Sequence, residues 1–298
     1  MALKSRITEL LAIELPIIGA PMALVSGGAL AAAVTHGGGL GLIGGGYGDP
    51  DWLAEQWAAA GNARTGVGFI TWRLAERPQL LDMALEHDPA ALFLSFGDPA
   101  PFAGEIAAAG VPLICQVQTL EHARQALAAG ARVIVAQGSE AGGHGAARAT
   151  MTLVPEVADL LAREAPEVLL LAAGGIADGR GLAAALMLGA DGALVGTRFW
   201  ASREALVPEA IRDAGVAATG DQTIRSSLPD IARQLDWPAP FNIRTVENDF
   251  TRQWQSDPEG LRARSDIPPV YAEALSRGDA TLAPPIAGEA VALIHDAP

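Results

Sequence analysis

Within the 298 residues, the run Gln137-Gly138-Ser139-Glu140-Ala141-Gly142-Gly143-His144 carries the most chemical potential. It follows Arg132-Val133-Ile134-Val135-Ala136, a short apolar stretch that reads as a buried strand. Polar residues at the C-terminal tip of such a strand, with two glycines just before a lone histidine, describe an active-site loop. Gly142 and Gly143 admit backbone conformations and close approaches that a side chain forbids. A neutral imidazole at His144 could take a proton near pH 7. Ser139 has no base and orienting group spaced for a hydrolase triad. His36, His87 and His122 fall near or within helical patterns and His295 lies near the end, so they read as surface or packing residues. No His-x-x-x-His pair or carboxylate-flanked histidine pair indicates a metal site.

A second constellation lies further on. Leu169 to Gly181 reads as a strand, a glycine turn at Gly174-Gly175, and a helix start after Asp178. About twenty residues later, Ala193-Leu194-Val195-Gly196-Thr197-Arg198-Phe199 repeats the strand-then-glycine form. As the seventh and eighth strands of a barrel, these would end in the loops where barrels commonly bind phosphate. Bare backbone at Gly174, Gly175 and Gly196 could then reach phosphate oxygens, with the Thr197 hydroxyl as a further donor; the same glycines could instead make plain strand-to-helix turns. Near the start, Gly19-Ala20-Pro21-Met22 is either a flat shelf suited to an aromatic ring or a simple turn. Gly39-Leu40-Gly41-Leu42-Ile43-Gly44 matches a dinucleotide-binding spacing. It lies inside an apolar run, however, and no acidic residue follows at about 20 positions, which argues against that site.

The elements that must position these groups alternate. Strand-like runs are expected at Pro16–Ala20, Leu40–Ile43, Gly66–Ile70, Ala91–Phe96, Pro112–Val117, Arg132–Gln137, Val168–Ala172 and Gly192–Gly196. Helical patterns lie between them at Gly28–His36, Pro50–Ala60, Pro78–Glu86, Leu120–Ala129, Pro155–Arg163 and Gly179–Leu188, with Thr119 and Asp178 as start signals. Eight strands alternating with helices predict a parallel sheet closed into a TIM (β/α)8 barrel. The rhythm stops after Trp200. Residues 206–270 are more polar and predict a small, mainly helical appendage, and residues 271–298, with apolar Ile286 to Ile294, a segment returning to the barrel. The expected division is therefore 1–205, 206–270 and 271–298.

Composition excludes several classes. With 20 basic against 34 acidic residues and a net charge of −14, nucleic acid and anionic membrane surfaces are poor partners. Cys115 is the only cysteine and sits in an apolar run, so internal disulfides and cysteine-cluster metal sites are out. Lys4 is the only lysine, too near the N-terminus for a Schiff-base barrel or a P-loop. No apolar run reaches the roughly 18 residues of a membrane span. Glu9 and Glu14 interrupt the first apolar stretch, so a signal peptide is not expected and a cytoplasmic location is.

Gly19–Met22, Gln137–His144, Ala172–Gly181 and Gly189–Phe199 together, in that order, resemble the nitronate monooxygenase family, formerly the 2-nitropropane dioxygenases. The stretch from Leu235-Asp236-Trp237-Pro238 to Asn248-Asp249-Phe250 is similar to that family's C-terminal region. The resemblance implies an FMN-binding barrel that oxidises alkyl nitronates, and nitroalkanes through a base, with O2 to a carbonyl compound and nitrite. It implies that Ala20, Pro21, Met22 and Gly68 border the flavin ring and that Gln137, Gly142 and Gly143 contact it. Gly174, Gly175, Leu194, Val195, Gly196 and Thr197 would hold its phosphate end, and His144 would be the catalytic base. The chain departs from the family at Gly68, where asparagine is frequent, at Gly145, where arginine is common, and at Gly288-Glu289 in place of Gly-Gln. Two other readings share the barrel: an NAD(P)H-dependent flavin reductase of the enoyl-ACP or quinone reductase type, and a flavin-binding protein without catalysis. The expected partners are a small-molecule substrate and O2; the sequence leaves the oligomeric state open.

Overall fold

Eight parallel strands form one sheet in the computed structural model, which describes residues 3–296. They are β1 (Ile17–Gly19), β2 (Leu42–Gly46), β3 (Gly66–Ile70), β4 (Leu92–Ser95), β5 (Leu113–Val117) and β6 (Val133–Gln137), followed, after a short outlying strand β7 (Gly143–Gly145), by β8 (Leu169–Ala173) and β9 (Gly192–Val195). The order β1-β9-β8-β6-β5-β4-β3-β2 runs once around, and Ile18 bridges in parallel to Leu40 just ahead of β2, closing the ring. This is the expected (β/α)8 barrel.

Parallel strands buried on both faces explain the near-continuous apolar runs. Alternate residues divide between two cores. Ile18, Leu42, Phe93, Ile114, Val135 and Leu171 belong to the barrel interior. Ile43, Leu92, Leu94, Ile134, Leu170 and Ala172 pack outward beneath the helices. By the same alternation, the inward positions nearest the C-terminal mouth are Ala20, Gly44, Gly68, Ser95, Gln137 and Gly196. All are small or polar, so the interior filling stops short of the mouth and leaves a shallow floor. At the opposite end, a helix the sequence reading did not anticipate, Arg6–Leu11, buries Ile7 and Leu11 completely in the interior core. Arg6 anchors it through a two-pronged contact with Asp191, at 2.8 and 2.9 Å.

Helix starts follow the expected chemistry. The Thr119 hydroxyl accepts from the His122 N–H at 3.1 Å, and Asp178 accepts from the N–H groups of Arg180 and Gly181. The glycines of the Gly39–Gly44 run serve packing: a Cβ at Gly41 would strike the Ala31 backbone, and one at Gly44 the Met22 backbone.

Residues 206–270 hold several short helices, and also two strands absent from the sequence reading, β10 (Thr223–Ser226) and β11 (Asn242–Val246). β10, β11 and β7 form an antiparallel sheet in that order, pairing Ile243 with His144. The expected division at 270/271 falls inside the helix Ile267–Arg277. That helix buries Tyr271 in a core with Leu228, Phe250 and Trp254, and Ala274 in another with Trp200 and Ile294. No helix among the described residues is long and apolar enough to cross a membrane.

Candidate active site

The loop between β6 and β7 is held from three sides. Gln137, at the tip of β6, accepts through Oε1 from Gln118 Nε2 at 2.9 Å and donates from Nε2 to the His144 carbonyl at 2.9 Å. From β10, the Arg225 guanidinium donates to the carbonyls of Ser139, Ala141 and Gly143, at 3.1, 2.9 and 3.4 Å. From β11, Arg244 donates to Ser139 O at 2.9 Å and pairs with Glu289 at 2.8 Å. Arg225 and Arg244 stand opposite each other in the β10–β11 register, where like charges repel. Aiming both at carbonyl oxygens and carboxylates offsets that repulsion. Burial, then Arg244, pull the Arg225 guanidinium down to about 10. The loop's own Glu140 accepts from the Thr150 N–H and hydroxyl at 3.0 and 2.8 Å.

So constrained, His144 is 9 % exposed. Its Nε2 lies 3.0 and 2.9 Å from the two oxygens of Asp230, which is 3 % exposed on the helix Leu228–Ala232. Trp237 stacks flat on the imidazole, with centroids 3.3 Å apart and planes 9° from parallel. Phe96 meets the imidazole edge-on at 6.3 Å and also contacts Trp237 and Phe241. Trp237 Nε1 donates to the Tyr47 hydroxyl at 3.3 Å, and the Arg233 guanidinium sits 5.1 Å over the Tyr47 ring. Burial is the largest influence on His144 and lowers its basicity; the Asp230 contact acts the other way, and Arg233 and Arg225 add to the lowering. The net effect favours the neutral form of the ring. Phe96 has φ +63°, a left-handed conformation unusual for a bulky residue and of the kind found where a site over-determines its backbone. Phe96 and Phe241 also line an adjoining cavity of about 230 Å³, with Cys115, Gln118 and His122 in its wall.

The other candidates fall into two groups. Gly174 and Gly175, at φ +99° and +74°, carry the chain out of β8, and the short helix Thr197–Trp200 begins directly after Gly196 at the tip of β9. The first N–H groups of a helix lack intrahelical partners. These two loops thus present bare backbone after the seventh and eighth barrel strands, the donor set a phosphate needs. A Cβ at Gly174 would press on Gly138 O and Ala141 N, and one at Gly196 would reach Ala20 and Met22 in ordinary contact. The shelf, the loop carrying His144 and the glycine-lined turns are therefore contiguous, and bare backbone of this kind could hold a nucleotide-like cofactor lying from the shelf to those turns. The Thr197 hydroxyl accepts from the Gly288 N–H at 3.0 Å, and Gly142 packs against Ala287 and Gly288, so the C-terminal segment ties the two loops together.

Four positions work less directly than the sequence suggested. Leu194 points into the barrel core, and the Val195 carbonyl accepts from the Ala20 N–H at 2.9 Å, so both support the shelf and the cradle from below. Gly68 lies under the Pro21 ring, where a Cβ would overlap it. Gln137 spends its amide on Gln118 and on the backbone of His144. At Gly145 a Cβ would meet the Arg225 guanidinium at 3.1 Å, so an arginine from another strand fills the space beside this glycine.

Sequence reasoning missed Asp230, Phe96, Tyr47, Arg225 and Arg244. Asp230 is 86 residues from His144 and had no local signal. Trp237 fell within a recognised stretch, but its stacking on the imidazole was not anticipated. His87 stacks on Trp57 at 4.1 Å, as befits a packing residue, and Cys115 is buried in β5. No group of three or more histidine, cysteine or acidic side chains among the described residues is arranged to hold a metal.

Comparison with known proteins is consistent with this geometry. The family model described as nitronate monooxygenase matches residues 4–87 and 59–259. A nitronate monooxygenase of Neurospora crassa is 36% identical over 94% of this chain and 84% of its own length. Among solved structures, FabK from Thermotoga maritima superimposes with a TM-score of 0.84 at 29% identity, over 99% of this chain and 92% of that one. Nitroalkane oxidase from Streptomyces ansochromogenes gives 0.79 at 27% identity, over 99% and 94%.

Proposed function

The chain belongs to the nitronate monooxygenase family of oxidoreductases, which is flavin-dependent in general, and from that premise we propose that it uses FMN and O2 to oxidise alkyl nitronates to a carbonyl compound and nitrite. One observation carries the reading. A buried histidine of lowered basicity stands on a loop, held by hydrogen bonds, whose other residues abut a shelf and a glycine-lined cradle of the donor type that a flavin phosphate needs.

In this reading the amides around Gly174, Gly175, Gly196 and Thr197 grip the phosphate, and Ala20, Pro21 and Met22 border the ring system, with Gly142 and Gly143 at the edge of the catalytic loop. Bound there, the flavin supplies the electron acceptor and the oxygen chemistry, while the protein supplies orientation and electrostatics. His144 has two tasks. As the neutral base it removes the α-proton of a neutral nitroalkane, and as the resulting cation it stays beside the anionic nitronate it has made. The wall of Phe96, Trp237 and Phe241 excludes water from the imidazole and strengthens that charge interaction. A substrate delivered already as the nitronate needs no base, so it draws on His144 only when the imidazole is protonated from solvent.

The deciding assay takes the purified protein with its flavin. Nitrite release from ethyl nitronate in air is expected, with no rapid bleaching of the flavin by NADH in the absence of oxygen. Rapid bleaching without nitrite release would assign the protein to the reductases, and retained flavin with neither activity would leave a binding protein.

A further inference from the structure

We propose that Asp230 selects which ring nitrogen of His144 is the base: it holds the Nε2–H, so that the substrate's α-proton is received at Nδ1. This rests on the reading of His144 as the base and adds a positioning residue to it.

The geometry leaves Asp230 little else to do. Both of its oxygens lie within 3.0 Å of His144 Nε2, and no arginine or lysine forms an ion pair with it among the described residues. A buried carboxylate with one partner is costly to keep, and replacing such a pair by apolar side chains is often neutral or stabilising. An ionised carboxylate only accepts hydrogen bonds, so the nitrogen facing it carries the proton, and the other nitrogen of a neutral ring carries the lone pair. Nδ1 has no hydrogen-bond partner among the described residues.

The ring cannot easily turn away from Asp230. Its backbone is fixed by pairing with Ile243 and by the Gln137 amide on its carbonyl, and Trp237 covers one face at 3.3 Å. In the step itself, the substrate C–H bond breaks and its electron pair remains on the substrate as the nitronate. The proton goes to Nδ1, and the new imidazolium is neutralised in place by Asp230. Arg233 and Arg225 are the cations facing the same ring, with Tyr47 behind Trp237, and they oppose that charge. Asp230 therefore offsets both burial and two nearby positive charges.

The test begins with a readout independent of turnover. In holoenzyme labelled with ¹⁵N-histidine, the His144 signals, assigned by their loss in His144→Gln, are expected to show a protonated Nε2 and an unprotonated Nδ1 at pH 8. In Asp230→Leu, which removes the acceptor, that bias should disappear. Nδ1 protonation in the unmodified protein would overturn the proposal. The kinetic arm uses Asp230→Asn. Carboxylates that orient a histidine in this way at metal sites are worth about 10- to 100-fold, and by that analogy kcat/KM for nitroethane should fall by a similar factor while kcat/KM for ethyl nitronate stays within about threefold. The acid-limb midpoint for nitroethane should also move to lower pH, because the carboxylate no longer favours the imidazolium. Equal losses on both substrates with an unmoved midpoint would reduce Asp230 to a structural residue. Asp230→Glu, which restores the carboxylate, should recover part of the nitroethane activity; it separates loss of folding from loss of the carboxylate. If the unmodified enzyme turns over neither substrate, the functional reading fails, and the labelled-histidine measurement still decides the Asp230 assignment.

Discussion

Replacing Gly174 by alanine should damage the cofactor cradle in a graded way that its neighbours calibrate. The position has φ +99°, which a residue with a Cβ adopts at a cost of roughly 1–2 kcal/mol. The added carbon would also lie 2.9 Å from Thr150 Oγ1, 3.0 Å from Gly138 O and 3.2 Å from Ala141 N. Those atoms cannot yield freely, because Thr150 Oγ1 donates to Glu140 and the Ala141 N–H donates to Gly138 O. Overpacking of this kind adds about 1–3 kcal/mol, for a total of about 2–5 kcal/mol. Gly175→Ala carries only the backbone cost of φ +74°, about 1–2 kcal/mol, since its nearest neighbour would be Glu140 Cβ at an ordinary 3.6 Å. Gly179→Ala meets nothing within 4 Å at the first position of a helix and should be neutral or slightly stabilising. Urea denaturation of the apoprotein and FMN titration by fluorescence quenching would read the series. At about 1.4 kcal/mol per factor of ten, a loss of half the Gly174→Ala penalty from binding would weaken FMN by roughly 5- to 60-fold. A rank order other than Gly174 worst, Gly175 intermediate and Gly179 least would refute the assignment of these loops as a backbone cradle.

Three further outcomes are expected. The acid limb of kcat/KM for a neutral nitroalkane should rise to its plateau with a midpoint below 6.5, because burial lowers the basicity of His144 and the base acts only when unprotonated; a midpoint above 6.5 would contradict the burial argument. Arg225→Met should destabilise the protein by about 2–4 kcal/mol in a urea melt, since loop carbonyls at Ser139, Ala141 and Gly143 lose a charged donor, and a loss under 1 kcal/mol would show that the loop holds itself. Cys115, pushed up to about 12 by burial, should resist a thiol reagent at pH 8 until the protein is unfolded, and fast labelling of the native protein would count against its burial.

Much of the barrel was legible because each strand is buried on both faces. An uninterrupted apolar run such as Val133 to Ala136 leaves few other options, and the helix starts at Thr119 and Asp178 are local signals acting on neighbouring N–H groups. The loop carrying His144 was legible for the same reason: its glycines and its position after a strand are neighbours in sequence. What escaped was everything settled across the fold. Asp230 reaches His144 only because the appendage folds back over the mouth. β10 and β11 lack an apolar pattern because Arg225 and Arg244 are directed at carbonyls of a distant loop. The helix Arg6–Leu11 is too short to stand out, and its purpose, sealing the barrel floor with Ile7 and Leu11, exists only once the barrel has closed. The packing of Gly68 beneath the Pro21 ring, which comes from the loop after β1, was equally invisible in the sequence.

The central claim is that His144 acts by removing a proton from carbon, and the most direct measurement compares His144→Ala with the unmodified holoenzyme on the two protonation states of one substrate. Nitrite release from nitroethane is expected to fall by about 10²- to 10⁴-fold, the usual worth of a positioned base, while release from ethyl nitronate, already deprotonated, falls far less. Equal retention of both activities, or an equal loss of both with the flavin still bound, would contradict it.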